Sequence, residues 1–168
     1  MDLAIRRILF PTDFSPAARQ AQDYALALAE QFQATLYVLH AIESPALPVH
    51  GSRYSWAVPD DVLPRLMEQA ELELALAFPN EGITSIDRPI VRAIKVGHPV
   101  MTIHDFAKEH QIDLIVMATH GHQGISHLLL GSVAEKMVRL STCPVLTVRP
   151  NAQKLHAQKL LSANSSAP

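Results

Sequence analysis

The stretch LIVMATHGHQGISHLLLGS, residues 114–132, joins an apolar run to a segment of small residues, and a helical pattern follows from about Val133. The apolar run at 114–117 predicts a buried strand. In the segment behind it, small residues let backbone N–H groups approach an anion closely, and the N-terminus of a following helix adds partial positive charge. This combination is typical of a loop that binds phosphate.

Short runs rich in β-forming residues alternate with longer helical patterns along the chain. Such alternation is typical of a parallel sheet covered by helices on both faces, which is the α/β class. Five strands are predicted, over 8–11, 35–42, 89–96, 113–117 and 144–148. A helix is predicted after each of the first four strands, the second of them over about 60–78.

Caps and apolar spacing carry the helix predictions. Ser15 and Pro16 provide an N-cap and a proline at the first position of the first helix. Its apolar residues recur at helical spacing: Ala18, Ala21, Ala25, Leu28 and Phe32. The third helix follows Gly97-His98-Pro99 and is predicted to bury Val100, Ile103, Phe106 and Ala107. The fourth is predicted to carry Val133, Met137 and Leu140.

Length and composition predict one domain. The chain has 168 residues, of which 48% are hydrophobic. This is enough for one well-buried core and too short for two full domains. We predict a single domain over 1–150 and a C-terminal tail over 151–168, which repeats AQKL and ends in small polar residues. The tail is expected to be a frayed helix or disordered.

Charge and cysteine content exclude several classes of partner. The formal net charge is −2, and acids and bases are interspersed, so no basic face for nucleic acid is expected. The single cysteine, Cys143, excludes an internal disulfide. No apolar run approaches the roughly 20 residues that span a bilayer, and no secretion signal is apparent. We therefore expect a cytoplasmic protein with no nucleic-acid or membrane partner.

Three motifs together resemble the universal stress protein family. They are Pro11-Thr12-Asp13 with Ser15 after the first strand, Leu39-His40 at the end of the second, and the loop at 118–132. The family loop has glycine, two residues, glycine, nine residues, then glycine followed by serine or threonine. The matching positions here are Ala118, Gly121, Gly131 and Ser132, so alanine stands at the first glycine position. Because Ala118 directly follows a β-run, we expect an extended backbone with negative φ there.

The resemblance implies a Rossmann-like sheet in the order 3-2-1-4-5 with helices on both faces, like that of the adenine nucleotide alpha hydrolases. In that order the winding reverses between the first and fourth strands, and ligands of such sheets bind where it reverses. A flavodoxin-like order, 2-1-3-4-5, would instead place the crevice beside Gly97, His98 and Pro99. The position of the glycine loop favours the first order.

Carried over position by position, the resemblance implies an ATP site, with ADP or AMP as alternatives and Mg²⁺ accompanying the nucleotide. The residues implied to line the adenosine are Pro11, Thr12, Asp13, Ala41, Met117 and Ala118. Those implied to hold the phosphates are Gly121, Gly131, Ser132 and Val133. Asp13 can accept from a ribose hydroxyl or bind Mg²⁺. The alternative for Ser132 and Asp13 is that each simply caps a helix.

Other motifs that carry chemistry are absent from the sequence. There is no GxxxxGK[ST] and no GxGxxG after the first strand, so fast phosphoryl transfer and NAD binding are not expected. Histidines 120, 122 and 127 lie around the loop without carboxylates at a familiar ligand spacing, so no metal site is predicted. His40 is predicted to be an interior histidine bonded to backbone, and Cys143 a small buried thiol.

Three functions follow as hypotheses. The first is an ATP-binding stress-response module in which nucleotide orders the loop and the 43–59 connection, with at most slow hydrolysis. The second is a true ATPase or nucleotidyl transferase that uses Asp13 and a loop histidine. The third is a nucleotide-free dimeric interaction protein whose cleft is closed by Ala118 and its neighbours. A homodimer through the fifth strand is expected, with Leu146→Pro as its test.

Overall fold

A computed structural model describes residues 4–43, 60–79, 89–119 and 131–149. Its strands are β1 (Arg7–Pro11), β2 (Thr35–Ile42), β3 (Ile90–Val96), β4 (Leu114–Ala118) and β5 (Val145–Val148). Its helices are α1 (Pro16–Phe32), α2 (Val62–Ala77), α3 (Pro99–Glu109) and α4 (Ser132–Leu140). The predictions for Gly121, the three loop histidines, most of the 43–59 connection and the 151–168 tail lie outside the described residues.

The five strands form one parallel sheet in the order β3-β2-β1-β4-β5. The order predicted from the resemblance is thus confirmed, and the flavodoxin-like alternative is wrong. Each strand boundary agrees with the sequence prediction to within one residue. Winding reverses between β1 and β4, so these two strands are neighbours whose carboxyl ends lie at the same edge of the sheet.

Two apolar layers flank the sheet, because successive side chains of a strand point to opposite faces. Ile8 and Phe10 of β1 pack with α1 and α2 on one face, whereas Leu9 packs with α3 and α4 on the other. All three are fully buried. The predicted inner face of α3 is confirmed, since its four residues lie in the second layer. A sheet buried on both sides explains the nearly continuous apolar runs of the strands.

Several side chains lie further out than the sequence pattern predicts. Phe32 at the end of α1 and Leu140 at the end of α4 are exposed. Cys143 is only half-buried, beside the hydroxyl of Ser141, which corrects the prediction of a buried thiol. These departures leave both core layers intact.

At the amino edge of the sheet, the carboxylate of Asp113 binds the start of β1. Its Oδ2 accepts from the backbone N–H groups of Arg6 and Arg7, each at 2.9 Å. The Asp113 N–H in turn donates to the Arg7 carbonyl. Hydrogen bonds to a charged acceptor are stronger than neutral ones, so this pair fixes how β1 enters the sheet beside β4.

None of the helices in the described ranges is long and apolar enough to cross a membrane. In the described sheet β5 is an edge strand, paired with β4 on one side only. Leu146 on this strand is partly exposed. The edge thus presents backbone groups that another strand could pair with.

Candidate functional site

A gap opens between β1 and β4 at the carboxyl edge of the sheet. The β1–β2 pairing continues as far as Pro11 with Leu39, whereas the β1–β4 pairs are Ile8 with Leu114 and Leu9 with Ile115. The pairing of β1 with β4 thus ends at Leu9, two residues before its pairing with β2 ends, and the two strands separate beyond that point.

Pro11 gives a physical reason for this separation. The Arg7 carbonyl accepts from the Asp113 N–H just before β4, and the Thr12 N–H donates to the Leu39 carbonyl of β2. Along β1, the odd-numbered residues therefore direct their backbone groups toward β4 and the even-numbered residues toward β2. Pro11 is an odd-numbered residue, and proline has no N–H. The strands can therefore separate at Pro11 without leaving a backbone donor unpaired.

The segment 12–15 after β1 is held by its own hydrogen bonds. The Phe14 N–H donates to the Thr12 hydroxyl and the Ser15 N–H to Oδ1 of Asp13, each at 3.0 Å. The buried Ser15 hydroxyl accepts from Ala18 N–H and so caps α1. The cap of α1 is therefore Ser15. Asp13 instead closes a turn within the loop, so the alternative in which Asp13 only caps a helix is wrong.

Phe14 adopts a left-handed backbone with φ of 61°. For an aromatic residue this conformation costs roughly 1–2 kcal/mol, so it persists only where its surroundings hold it. Here the Phe14 ring packs on His40, with ring centroids 4.5 Å apart. Strain of this kind at the mouth of a gap is typical of sites where geometry serves a ligand.

The two ends of the glycine loop lie together. Thr119 is buried, and its N–H donates to the Val148 carbonyl at 2.9 Å. Its own carbonyl accepts from the Gly131 N–H at 2.6 Å. This hydrogen bond fixes the start of α4 directly against the end of β4, on the β4 side of the gap.

The N-terminus of α4 presents backbone donors at this place. Gly131 is the N-cap, and no side chain among the described residues caps the helix. The first intrahelical bond runs from Glu135 N–H to the Gly131 carbonyl. The N–H groups of Ser132, Val133 and Ala134 precede that bond and point out of the helix end, where anions are stabilised.

Ser132 is the first residue of α4 and follows the N-cap Gly131, so it is not the helix cap; its side chain is exposed. Its hydroxyl stands beside the helix end, where it can donate to an anion. Val133 is half-buried against the second core layer, so it can offer a ligand its N–H more readily than its side chain.

The remaining predicted residues differ in how they face the gap. Ala118 is the last residue of β4, in register with Val148, so its backbone is extended as predicted. The Met117 side chain is buried in the α3–α4 layer, which leaves only its backbone for a ligand. Ala41 is half-buried near the end of β2. Pro11 is buried at the end of β1.

Asp13 is the one predicted carboxylate at this edge, and it is half-buried. Among residues 4–43, 60–79, 89–119 and 131–149 there is no group of three potential metal ligands. A single carboxylate suits Mg²⁺, which usually binds one or two carboxylates together with substrate phosphates. The donor set therefore fits a magnesium ion that arrives with a nucleotide.

Two residues that were not among the predicted ligand contacts help to hold the site together. Thr119 closes the loop ends through its carbonyl, and no sequence signal marks a backbone contact of this kind. His40 was expected to bond to backbone, and its Nδ1 lies 2.8 Å from the Thr12 carbonyl oxygen, which confirms that prediction. It is half-buried rather than interior.

Comparison with known proteins shows the family of this chain. Residues 4–149 match the model of the universal stress protein family. The chain belongs to the universal stress protein family. This universal stress protein is 32% identical over 147 residues to universal stress protein MJ0531 of Methanocaldococcus jannaschii, covering 86% of this chain and 82% of that relative.

Solved structures of universal stress proteins share the fold. The chain matches universal stress protein UspA from Lactobacillus plantarum with a TM-score of 0.72 and 29% identity, over 88% of this chain and 100% of that one. It also matches a universal stress protein in complex with cAMP, with a TM-score of 0.56 and 26% identity, over 87% of this chain and 98% of that one. The resemblance read from the three motifs is thereby confirmed.

Proposed function

We propose that this universal stress protein binds ATP with Mg²⁺ in the gap between β1 and β4 and acts as a nucleotide-dependent stress-response module in the cytoplasm. In this proposal the phosphates bind the N-terminus of α4 at Gly131, Ser132 and Val133, together with Gly121 of the loop. The adenosine lies against Pro11, Thr12, Ala41, Met117 and Ala118, and Asp13 contacts the ribose or the magnesium ion.

One observation carries the proposal: helix N–H groups that no described side chain caps and a carboxylate-bearing loop flank the same opening at the carboxyl edge. Helix N-termini favour phosphate, and a carboxylate can accept from a ribose hydroxyl. The cAMP complex of a relative supports an adenine nucleotide in this family.

Slow hydrolysis at most is part of the proposal. Lys136, the basic residue nearest the loop in the described part of α4, is exposed one turn into the helix rather than within a phosphate-binding motif. Among the described residues, no group of three His, Cys, Asp or Glu side chains gathers at the gap, and the Nδ1 of His40 lies against the Thr12 carbonyl. Without a cationic side chain placed to stabilise the charge that develops on the γ-phosphate, the transition state of hydrolysis is only weakly stabilised.

A homodimer through β5 completes the proposal, because this edge strand carries the partly exposed Leu146 and pairs on one side only in the described sheet. A two-fold contact between identical edges is self-complementary.

The direction of the backbone groups in β5 decides which residue should be replaced by proline to test this dimer. The Pro144 and Val148 carbonyls accept from β4, so even residues, Leu146 included, direct their backbone inward, and Thr147 directs it to the free edge.

Titration calorimetry of the full chain with Mg-ATP and Mg-GTP tests the nucleotide proposal. Binding of Mg-ATP well below millimolar, with weaker binding of Mg-GTP, is the expected result. Released phosphate should appear far more slowly than the ~1 per second at the lower end of typical enzymes. No heat at millimolar Mg-ATP would refute the proposal. Rapid turnover abolished by Asp13→Ala would replace it with the enzyme hypothesis.

A further inference from the structure

His40, near the carboxyl end of β2, contacts the loop after β1 at two points. Its Nδ1 lies 2.8 Å from the Thr12 carbonyl oxygen. Its ring lies against the Phe14 ring, with centroids 4.5 Å apart and an angle of 32° between the planes. These contacts involve the residue before Asp13 and the residue after it. One side chain thus holds both neighbours of the carboxylate.

The chemistry of the Thr12 contact shows which ring nitrogen of His40 carries a proton. A carbonyl oxygen can only accept, so Nδ1 of His40 must carry the proton and donate it. In the neutral ring Nε2 is then the acceptor nitrogen. The Thr12 N–H already donates to the Leu39 carbonyl of β2. The imidazole of His40 therefore adds a second hydrogen bond between β2 and Thr12, the first residue after β1.

The loop depends on such links because its geometry is strained. Phe14 has a left-handed backbone, and its N–H reaches the Thr12 hydroxyl. Strained residues keep their conformation only when surrounding contacts determine it. Removing the imidazole donor takes a constraint from Thr12, and removing the ring takes one from Phe14. Either change lets Asp13 move with the backbone on both sides of it.

We infer that His40 is a positioning residue for the ligand in the gap. It acts through Thr12 and Phe14 to hold the Asp13 carboxylate where a ribose hydroxyl or a nucleotide-bound magnesium ion can reach it. This inference rests on the proposed function. Binding groups must be held to within about 0.5 Å of their working positions, so loosening the loop weakens binding while the core stays folded.

Two substitutions separate the two contacts of His40. His40→Phe keeps a ring against Phe14 and removes the donor to Thr12. His40→Asn keeps an amide donor near the position of Nδ1 and removes the ring. We expect His40→Phe to raise the Kd of Mg-ATP about tenfold, as for loss of one hydrogen bond and its ordering. His40→Asn should recover part of that loss, and it serves alone if His40→Phe does not fold.

A double-mutant cycle with Asp13→Asn reports whether His40 acts through the carboxylate. In the Asp13→Asn protein, adding His40→Phe should change the Kd by less than about twofold. A purely structural role would give the full tenfold change in both backgrounds, and that additive result overturns the inference. Long-range ¹H–¹⁵N spectra of the neutral ring give an independent reading, since a proton on Nε2 rather than Nδ1 also overturns it.

His110 provides the matched control. It is another half-buried histidine, packed on Phe106 with ring centroids 4.1 Å apart, at the end of α3 that leads to the amino edge. His110→Phe should leave the Kd of Mg-ATP unchanged, and an equal loss there would show general loosening and overturn the inference. If wild type binds and His40→Phe binds equally well, the inference alone fails. If wild type binds no adenine nucleotide, the proposed function fails and the inference falls with it.

Discussion

Gly131 allows the requirements of the backbone and of the ligand to be separated. Its φ of −58° and ψ of 149° are open to any residue, so the fold itself does not need glycine there. Its N–H is already committed to the Thr119 carbonyl. We therefore predict that glycine is needed at this position for space, because the absence of a side chain would leave room for the proposed phosphate beside the N–H groups of Ser132 and Val133. Gly131→Ala tests that explanation.

The expected change in stability is small because two effects oppose each other. Alanine at a compatible φ reduces the entropy of the unfolded chain and stabilises by about 0.4–1 kcal/mol. Alanine is a poorer N-cap than glycine, by an amount of the order of 0.5–1 kcal/mol. The free energy of unfolding should thus change by less than about 1 kcal/mol. The Kd of Mg-ATP should rise at least about tenfold, which corresponds to about 1.4 kcal/mol of binding free energy.

Gly97, between β3 and α3, is the contrasting control. Its φ is 156°, and a Cβ built there lies 2.8 Å from the Thr102 hydroxyl oxygen. Gly97→Ala should therefore destabilise the fold by about 1–3 kcal/mol, since overpacking of this kind forces side chains or backbone to shift. Gly97 follows β3, which is separated from β1 by β2, so the folded fraction of Gly97→Ala should bind Mg-ATP nearly as wild type does.

Urea unfolding and titration calorimetry on the same preparations measure both quantities. The two variants should show opposite patterns: a binding loss without a stability loss for Gly131→Ala, and a stability loss without a binding loss for Gly97→Ala. Wild-type affinity in Gly131→Ala would refute the claim that space at the start of α4 matters. Equal destabilisation by the two alanines would refute the interpretation of the Gly131 backbone.

Three further predictions concern the scaffold. Ser15→Ala removes the hydroxyl that caps α1 and should cost about 1 kcal/mol in urea unfolding, and an unchanged midpoint would contradict that role. Asp113→Ala removes the acceptor for the N–H groups of Arg6 and Arg7 and should cost about 1–2 kcal/mol, whereas Asp113→Asn, which keeps an oxygen acceptor, should cost less; an unchanged stability of Asp113→Ala would contradict this acceptor role. Thr147→Pro removes an outward N–H from the β5 edge and should give folded monomers by sedimentation, while Leu146→Pro should instead lower stability, and persistent Thr147→Pro dimers would count against the edge contact.

The sheet was predictable because local and long-range signals agree. The strand β4 and the inner face of α3 follow from apolar runs and helical spacing, and each is buried as expected. The strand order did not follow from periodicity. It required the motif around Asp13 and the glycine loop, since the alternative order is compatible with the same alternation of strands and helices.

The parts of the site that sequence did not predict depend on backbone direction and conformation. An aromatic residue such as Phe14 rarely has positive φ, so no pattern predicts it. The contact between the Thr119 carbonyl and Gly131 joins backbone groups, whose pairing is independent of side-chain identity. For the same reason the sequence suggested Leu146→Pro as the edge test, although only the ladder reveals that Leu146 directs its backbone toward β4.

The two sides of the gap differ in a way that orients a ligand. On the β1 side, the N–H groups of Thr12, Phe14 and Ser15 all donate within the protein, so that loop offers an incoming ligand mainly a carboxylate. On the β4 side, the start of α4 offers N–H groups that no side chain in the described ranges caps. Phosphate oxygens are repelled by the first side and stabilised by the second, whereas hydroxyl groups and cations prefer the first. A ligand with an anionic end and a hydroxyl-bearing end therefore has one favourable direction across the gap, which is the direction that the proposed nucleotide site requires.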